Sequence, residues 1–293
     1  MQYRTLGTSQ LKVSLLGYGS WALAGKGWGN VDGKEAAQTV AECIDSGITF
    51  FDTAPVYGFG RSEEILGRLL APVRKNVIIA TKCGLSRDTR GRVGHDLSRT
   101  AVLRDLEGSL ARLKTDYVDL YQIHWPDPDT PLEETLETLT GLRDAGSIRC
   151  IGVSNFRLPL LRQACALADI VSVQEQYNML QHEAADELLP FCRTAGLGFI
   201  CYSPLAQGIL AGGIDAGFSP GRRDVRRFNP LFSDRGRQLQ AVSFARGLAG
   251  PPATTALRFL AAREGISSIL VGMTRRKHLR DNLRSLEKIP GSR

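Results

Sequence analysis

Ile48-Thr49-Phe50-Phe51-Asp52-Thr53-Ala54-Pro55-Val56-Tyr57-Gly58 is the stretch on which the reading of the chain turns. The run Ile48 to Phe51 is β-branched and aromatic, which suits a buried strand. It delivers a carboxylate at its end, and a proline-containing turn then presents a phenol five residues later. Neither polar group is placed for packing. Two later apolar runs end the same way: Asn76 to Ala80 leads to Thr81-Lys82, and Val118 to Ile123 leads to His124.

Outward from these runs, strand and helix patterns alternate. Residues 3–6 and 11–14 flank Gly7-Thr8-Ser9-Gln10, a β-hairpin signature. Leu15 to Gly17 is a short strand, and Lys34 to Ser46 carries Ala37, Val40, Cys43 and Ile44 at helical spacing before Gly47. Ser62 is expected to cap a helix with Glu63 and Glu64 in its first turn. Ser98 opens a helix with Val102, Leu106, Leu110 and Leu113 on one face, and Thr130-Pro131-Leu132-Glu133 reads as a capping box for a helix ending at Gly146. Strands Ile148 to Val153, Ile170 to Gln174, Gly198 to Tyr202 and Ile269 to Val271 alternate with helices over 157–168, 184–195, 252–264 and 276–286. A glycine- and arginine-rich insert occupies 206–232, and 235–248 is a further helix.

Eight strands, each followed by a helix, predict a (β/α)8 TIM barrel with an N-terminal β-hairpin, one domain over 1–293. The competing fold is a doubly wound open sheet, because Gly17-Tyr18-Gly19-Ser20-Trp21-Ala22 matches a G-x-G-x-x-A dinucleotide fingerprint. That motif should open a helix, whereas Gly25 to Asn30 has no helical periodicity.

In such a barrel the chemistry gathers at the carboxyl ends of the strands, so Asp52, Tyr57, Lys82 and His124 converge on one mouth. A tyrosine near pKa 10 is a poor acid at neutral pH, and a neighbouring ammonium is expected to lower it. Lys82 can supply that charge, Asp52 can hold Lys82 by a buried ion pair, and His124 can steer a substrate oxygen. Singly, each has a structural reading: a turn cap, an edge charge, a half-buried aromatic, a satisfied histidine before Trp125-Pro126. Four at strand ends or their loops argue for a catalytic site.

Composition narrows the class. Hydrophobic residues make up 43% and charged residues 23%, which fits a globular enzyme, and the net charge of +7 is too diffuse to imply nucleic acid. The six cysteines form no C-x-x-C pair and no metal-ligand spacing, so no metal is expected and reduced core thiols are. No apolar run approaches the roughly 18 residues of a membrane span, and Met1-Gln2-Tyr3-Arg4 does not start a signal peptide. The expected location is cytoplasmic, without membrane partners.

The chain resembles an aldo-keto reductase. The resemblance is carried by Gly17 to Trp21, Phe51 to Gly58, Ser62-Glu63, Thr81-Lys82, Asp119 to Trp125, Gly152-Val-Ser-Asn-Phe156, Gln174-Glu-Gln-Tyr-Asn178, Tyr202-Ser-Pro-Leu205 and Gly272 to Asn282. It implies a (β/α)8 barrel that reduces an aldehyde or ketone with hydride from NAD(P)H. Tyr57 would donate the proton, Lys82 and Asp52 would tune it, and His124 would orient the substrate, with Trp21 and Trp125 also facing it.

Carried over position by position, Ser154, Asn155 and Gln174 would hold the nicotinamide carboxamide and Tyr202 would stack on its ring. Gly19, Ser20 and Trp21 would line its near side, with Asp52 below. Ser203, Leu205 and Gly208 lie in the segment over the pyrophosphate, and Asp281 and Asn282 match adenine contacts. Arg275 and Arg276 open the last helix, where the dipole disfavours cations, so a 2′-phosphate would explain one of them. The expected cofactor is NADPH, with NADH possible, because Gly272 and His278 replace basic residues often found there.

Arg222-Arg-Asp-Val-Arg-Arg227 could receive the pyrophosphate or an anionic substrate, or be solvated. The chain stops at Arg293 where many members continue with a segment that shapes the substrate pocket, so the substrate and the oligomeric state are left open. The alternative from another class is a non-catalytic regulatory subunit that senses the nicotinamide cofactor with the same barrel. An isomerase or lyase barrel would not need Ser154, Asn155 and Gln174.

Overall fold

The computed structural model describes residues 1–25, 27–29, 31–87 and 92–287. A small antiparallel hairpin of β1 (Tyr3–Thr5) and β2 (Lys12–Ser14) precedes β3 (Leu16–Gly19), β4 (Phe50–Asp52) and β5 (Ile78–Cys83). A second ribbon, β6 (Leu85–Arg87) with β7 (Val93–His95), follows, and then β8 (Val118–Ile123), β9 (Ile148–Ser154), β10 (Ile170–Gln176), β11 (Gly198–Tyr202) and β12 (Ile266–Val271). Strands β3, β4, β5, β8, β9, β10, β11 and β12 pair in that order and close on themselves as a parallel barrel. The predicted fold class is therefore the observed one, hairpin included, and the doubly wound sheet is excluded. Gly25 has no regular structure, Gly27, Trp28 and Gly29 lie in turns and bends, and among the described residues no helix starts before Gly33, so the glycine fingerprint opens a loop; Lys26 and Asn30 of that loop lie outside the described residues.

The outer layer comprises α1 (Gly33–Asp45), α2 (Arg61–Leu70), α3 (Arg99–Leu113), α4 (Leu132–Asp144), α5 (Leu158–Leu167) and α6 (Leu188–Ala195). After β11 the insert adds α7 (Pro230–Ser233) and α8 (Arg235–Arg246), and α9 (Pro252–Ala261) and α10 (Arg276–Leu286) complete the ring. The apolar stripes of these helices meet outward strand residues such as Phe51, Ile79, Tyr121, Ile151 and Val173 in one continuous core. Inside the barrel Phe50, Ala80, Leu120, Val171, Ile200 and Leu270 pack with Leu6 and Val13 of the hairpin. The hairpin thus plugs the amino-terminal end. Its turn requires Gly7, at φ +56°, because a Cβ there would lie 2.1 Å from the Val171 carbonyl oxygen. With one end stoppered, a ligand has the carboxyl-terminal mouth.

Two expected caps are not formed. Ser62 lies inside α2, whose N-cap is Gly60 at φ +82°, and its hydroxyl donates to the Ser20 carbonyl at 2.8 Å. The Thr130 capping box is absent: the N-cap is Pro131, and the Thr130 hydroxyl donates to Asp127 Oδ2 at 2.7 Å.

Candidate active site

β4 ends on Asp52, β5 carries Lys82 inward, and β8 is followed by His124, so the barrel brings together the three side chains that lie far apart in sequence. All three are buried. Lys82 Nζ donates to Asp52 Oδ1 at 2.7 Å and to the Thr53 carbonyl at 2.9 Å, and lies 3.4 Å from the Tyr57 hydroxyl. The turn Ala54 to Gly60 returns Tyr57 over the mouth, aided by left-handed backbone at Gly58, Phe59 and Gly60. The Tyr57 ring meets His124 edge to face at 5.8 Å and stacks with Trp21 at 6.1 Å.

The electrostatics differ from expectation in one respect. Lys82 does not bring the Tyr57 phenol down: burial pushes it well above 10, and the Asp52 charge adds to the rise. Burial is the larger cause, and the Lys82 ammonium has its nearest partner in Asp52, at 2.7 Å against 3.4 Å to the phenol. Burial lowers Lys82, opposed by Asp52. Burial, then the Lys82 charge, holds His124 well below 6.5, so its imidazole is neutral. Neither ring nitrogen of His124 has a protein hydrogen-bond partner among the described residues. The mouth therefore presents a protonated phenol and a neutral imidazole to a ligand oxygen.

A polar network continues around the rim. Gln174 Nε2 donates to Asp52 Oδ2 at 2.9 Å, and the Gln174 backbone carbonyl accepts from the Ser154 hydroxyl at 2.9 Å. Asn155, at φ +61°, donates to the His124 carbonyl at 2.9 Å and accepts from the Tyr202 hydroxyl at 2.8 Å. The backbone turn after β11 is unusual: Ser203, Ala206, Gln207 and Gly208 all have positive φ, conformations that non-glycine residues adopt only when the surroundings enforce them. Asn178 clamps that turn by donating to the Ser203 carbonyl at 3.0 Å. Leu205 packs on the adjoining cores.

Gly19 and Gly272 lie side by side at the ends of β3 and β12, where a Cβ on Gly272 would sit 3.7 Å from the Gly19 carbonyl oxygen. The buried Ser20 hydroxyl has no hydrogen-bond partner among the described residues. These features fit a nicotinamide dinucleotide: an orphaned hydroxyl and a Gln174 side-chain oxygen that accepts nothing within the described residues suit a carboxamide, and Tyr202 offers a flat ring. Arg275 and Arg276 are exposed at the start of α10. Asp281 is engaged by Lys277 at 3.0 Å, Asn282 is buried, and Trp125 stays 43% exposed beside His124.

Sequence reasoning missed three residues here. Gln122 Nε2 donates to Asp52 Oδ2 at 3.3 Å; its place two residues before His124, on the inward face of the same strand, was the available signal. Trp28 meets Trp21 edge to face at 5.0 Å, a contact between loop residues with no periodicity to announce it. Asn178 was quoted for resemblance without a role. Of the arginine-rich insert, Arg226 is bound by Asp224 at 2.6 Å, and Val225 donates its N–H to the Gly27 carbonyl at 3.0 Å; the insert thus straps across the loop after β3.

The fold and site define a (β/α)8 barrel with a buried ionisable cluster at its carboxyl-terminal mouth. The aldo/keto reductase family model matches residues 15–291, and the chain belongs to that family. It is 34% identical over 304 residues to the NADH-specific methylglyoxal reductase of Escherichia coli, covering 96% of this chain and 92% of that protein. It is 33% identical over 308 residues to a probable voltage-gated potassium channel subunit beta of Oryza sativa, covering 99% and 92%. The structure of the glycerol dehydrogenase AKR11B4 from Gluconobacter oxydans superposes with a TM-score of 0.83 at 28% identity, over 99% of this chain and 90% of that one.

Proposed function

We propose that the protein reduces a small aldehyde or ketone to the alcohol, with Tyr57 as proton donor. The observation that carries this reading is the Lys82 ammonium bridging Asp52 and the Tyr57 hydroxyl below the free imidazole of His124. A bound nicotinamide cofactor, NADPH by preference, would supply the hydride. Ser154, Asn155 and Gln174 would hold its carboxamide, Tyr202 would face its ring, Gly19, Ser20 and Trp21 would line the approach, and the turn Ser203 to Gly208 would cover the phosphates. Arg275 and Arg276 would meet the 2′-phosphate and Asp281 and Asn282 the adenine. Asp281 spends part of its charge on Lys277, so it is the weaker of the two adenine positions.

The carbonyl oxygen sits between Tyr57 and His124. His124, neutral, donates one hydrogen bond and orients it. Tyr57 keeps its proton until negative charge develops on that oxygen; an alkoxide is a far stronger base than even an elevated phenolate, so the proton moves then. Lys82 stabilises the phenolate left behind, and Gln122, Gln174 and Lys82 fix Asp52. Trp21 and Trp125 wall the substrate. The similarity to a methylglyoxal reductase and a glycerol dehydrogenase supports a small oxygenated substrate. Six free cysteines support a reducing compartment, hence the cytoplasm, and no described helix is long and apolar enough to cross a membrane.

The similarity to a channel beta subunit favours the second reading, a cofactor-sensing partner. A carbonyl panel that includes methylglyoxal, run with NADPH and with NADH, decides both questions. Turnover above buffer establishes the enzyme, and the cofactor with the higher kcat/KM identifies the preference; binding of either cofactor without turnover of any carbonyl favours the sensor.

A further inference from the structure

Asp52 is where the proton-donating side of the site meets the side read as the cofactor's. Lys82 takes Oδ1 at 2.7 Å and leads to Tyr57, whereas two amides share Oδ2: Gln174 donates at 2.9 Å and Gln122 at 3.3 Å. Both glutamines are buried, and in both the N–H faces the carboxylate, because an amide oxygen turned to it would be repelled. The other half of each amide differs. The Gln122 oxygen is sealed in the interior with no hydrogen-bond partner among the described residues, whereas the Gln174 oxygen, which also accepts nothing there, is not sealed off. Gln174 therefore has an acceptor to offer a ligand, and Gln122 has none.

Gln122 fits because a neighbouring side chain is missing. It pairs in register with Lys82 on β5 and with Gly152 on β9, and a Cβ on Gly152 would lie 3.1 Å from Gln122 Cγ. An enclosed amide with an unpaired oxygen is destabilising, and among the described residues the bond to Asp52 is the one hydrogen bond that the Gln122 side chain makes. Its place in the barrel interior is thus tied to that carboxylate.

We infer that Gln122 is a positioning residue for the cofactor, acting through Asp52 on Gln174. A buried carboxylate oxygen short of donors draws in those within reach. By serving Oδ2, Gln122 leaves Gln174 a single bond to make there, so that the Gln174 oxygen stays turned to the mouth. Without Gln122, the carboxylate draws on the second N–H of Gln174 and pulls that amide inward, away from the carboxamide it would hold. This rests on the nicotinamide reading of Gln174. It gives Gln122 an effect on cofactor affinity although it touches no part of the cofactor's path.

The test is a double-mutant cycle on cofactor affinity, read by fluorescence titration with NADPH and with NADH. Gln122→Met keeps the length of the side chain and removes its N–H groups, and its effect is measured in the wild-type background and in Gln174→Met. In the wild-type background the dissociation constant should rise about fivefold. In Gln174→Met, where no amide remains to be drawn inward, Gln122→Met should change it by less than about twofold. Gln122→Leu loses the same donor in a different shape and should give the same two factors, with titrations run where urea curves show the variants folded. The same weakening in both backgrounds, which a general loosening of the barrel would produce, overturns the inference, as does no weakening in either, and both leave the nicotinamide site intact. A Gln174→Met protein that binds as tightly as wild type overturns the carboxamide reading of Gln174 and the inference with it. Failure of the wild type to bind either dinucleotide overturns the nicotinamide reading as a whole.

Discussion

Two buried ion pairs lie back to back across β5. Thr81 and Lys82 are consecutive, and the strand sends them to opposite faces: Thr81 outward to Glu63, Lys82 inward to Asp52. Both carboxylates are buried and both are met by a long cation at 2.7 Å. At Glu63 the Thr81 hydroxyl and Arg112 satisfy the acid, and the guanidinium side chain, 28% exposed, runs out towards water. At Asp52 the cation is wholly enclosed, and beyond its carboxylate it has a phenol on the cleft to address. The same ingredients therefore serve packing on one face of a strand and chemistry on the other, and what separates them is the group the cation faces next.

Tyr57→Phe removes that group alone. The expected loss is about 10²–10⁴ in kcat with the melting temperature preserved, measured by steady-state reduction of the best carbonyl and by a thermal scan. Activity near the wild-type level would remove the distinction between the two pairs.

Breaking the pairs sharpens it. Lys82→Met strands the Asp52 charge in the interior and should cost about 3–5 kcal/mol of stability as well as turnover. Arg112→Met should cost less, about 1–3 kcal/mol, because its side of the pair is already partly screened by water, and kcat per folded molecule should stay near wild type. Urea titration with active-site normalisation reads both. Equal losses of kcat in the two variants would mean that Glu63 also acts on the site.

Much of this contrast was legible in the chain. β8 and β11 are bounded where the apolar runs predicted, at Val118–Ile123 and Gly198–Tyr202, because their inward polar ends mark the mouth. β12 was read three residues short, from Ile269, since Ser267 and Ser268 break its apolar run; in the barrel Ser268 donates to the Ser14 carbonyl at 2.8 Å and is buried. The caps at Ser62 and Thr130 failed because the helices begin elsewhere: α2 starts at Arg61, one residue before Ser62, and α4 at Leu132 with Pro131 as its N-cap. The ribbon of β6 and β7, the Trp21–Trp28 contact and the upward shift of Tyr57 depend on which groups are brought near in space, and no local pattern reports that.

His124 offers a smaller, pH-dependent effect. Burial and Lys82 depress its folded value below 6.5, so below about 6.5 the unfolded chain takes up a proton that the folded one refuses. Stability should fall as pH drops from about 7 towards the depressed value, and should be unaffected by this group above about 7.5. Glu175 acts in the opposite sense between 4.5 and about 7, where the folded form holds the extra proton. The quantity to read is therefore the difference in melting temperature between wild type and His124→Gln across that range, which cancels Glu175. A difference independent of pH would mean that folding does not shift the His124 titration, and a difference of the opposite sign that folding keeps the ring charged; either is contrary to the neutral imidazole on which substrate orientation rests.

The least effect is expected where the geometry is best. Arg280 reaches Glu42 with two hydrogen bonds, at 2.6 and 3.1 Å, tying α10 to α1. By distance alone this pair rivals Asp52–Lys82, but it lies in solvent, where ordering two long side chains and screening by water offset most of the attraction. Arg280→Ala should move the melting temperature by less than about 2 °C and leave kcat unchanged. A shift as large as that of Arg112→Met would mean that hydrogen-bond geometry outweighs burial in this barrel. The difference drawn between Glu63 and Asp52 would then have to be sought in bond lengths, which at 2.7 Å are the same for both.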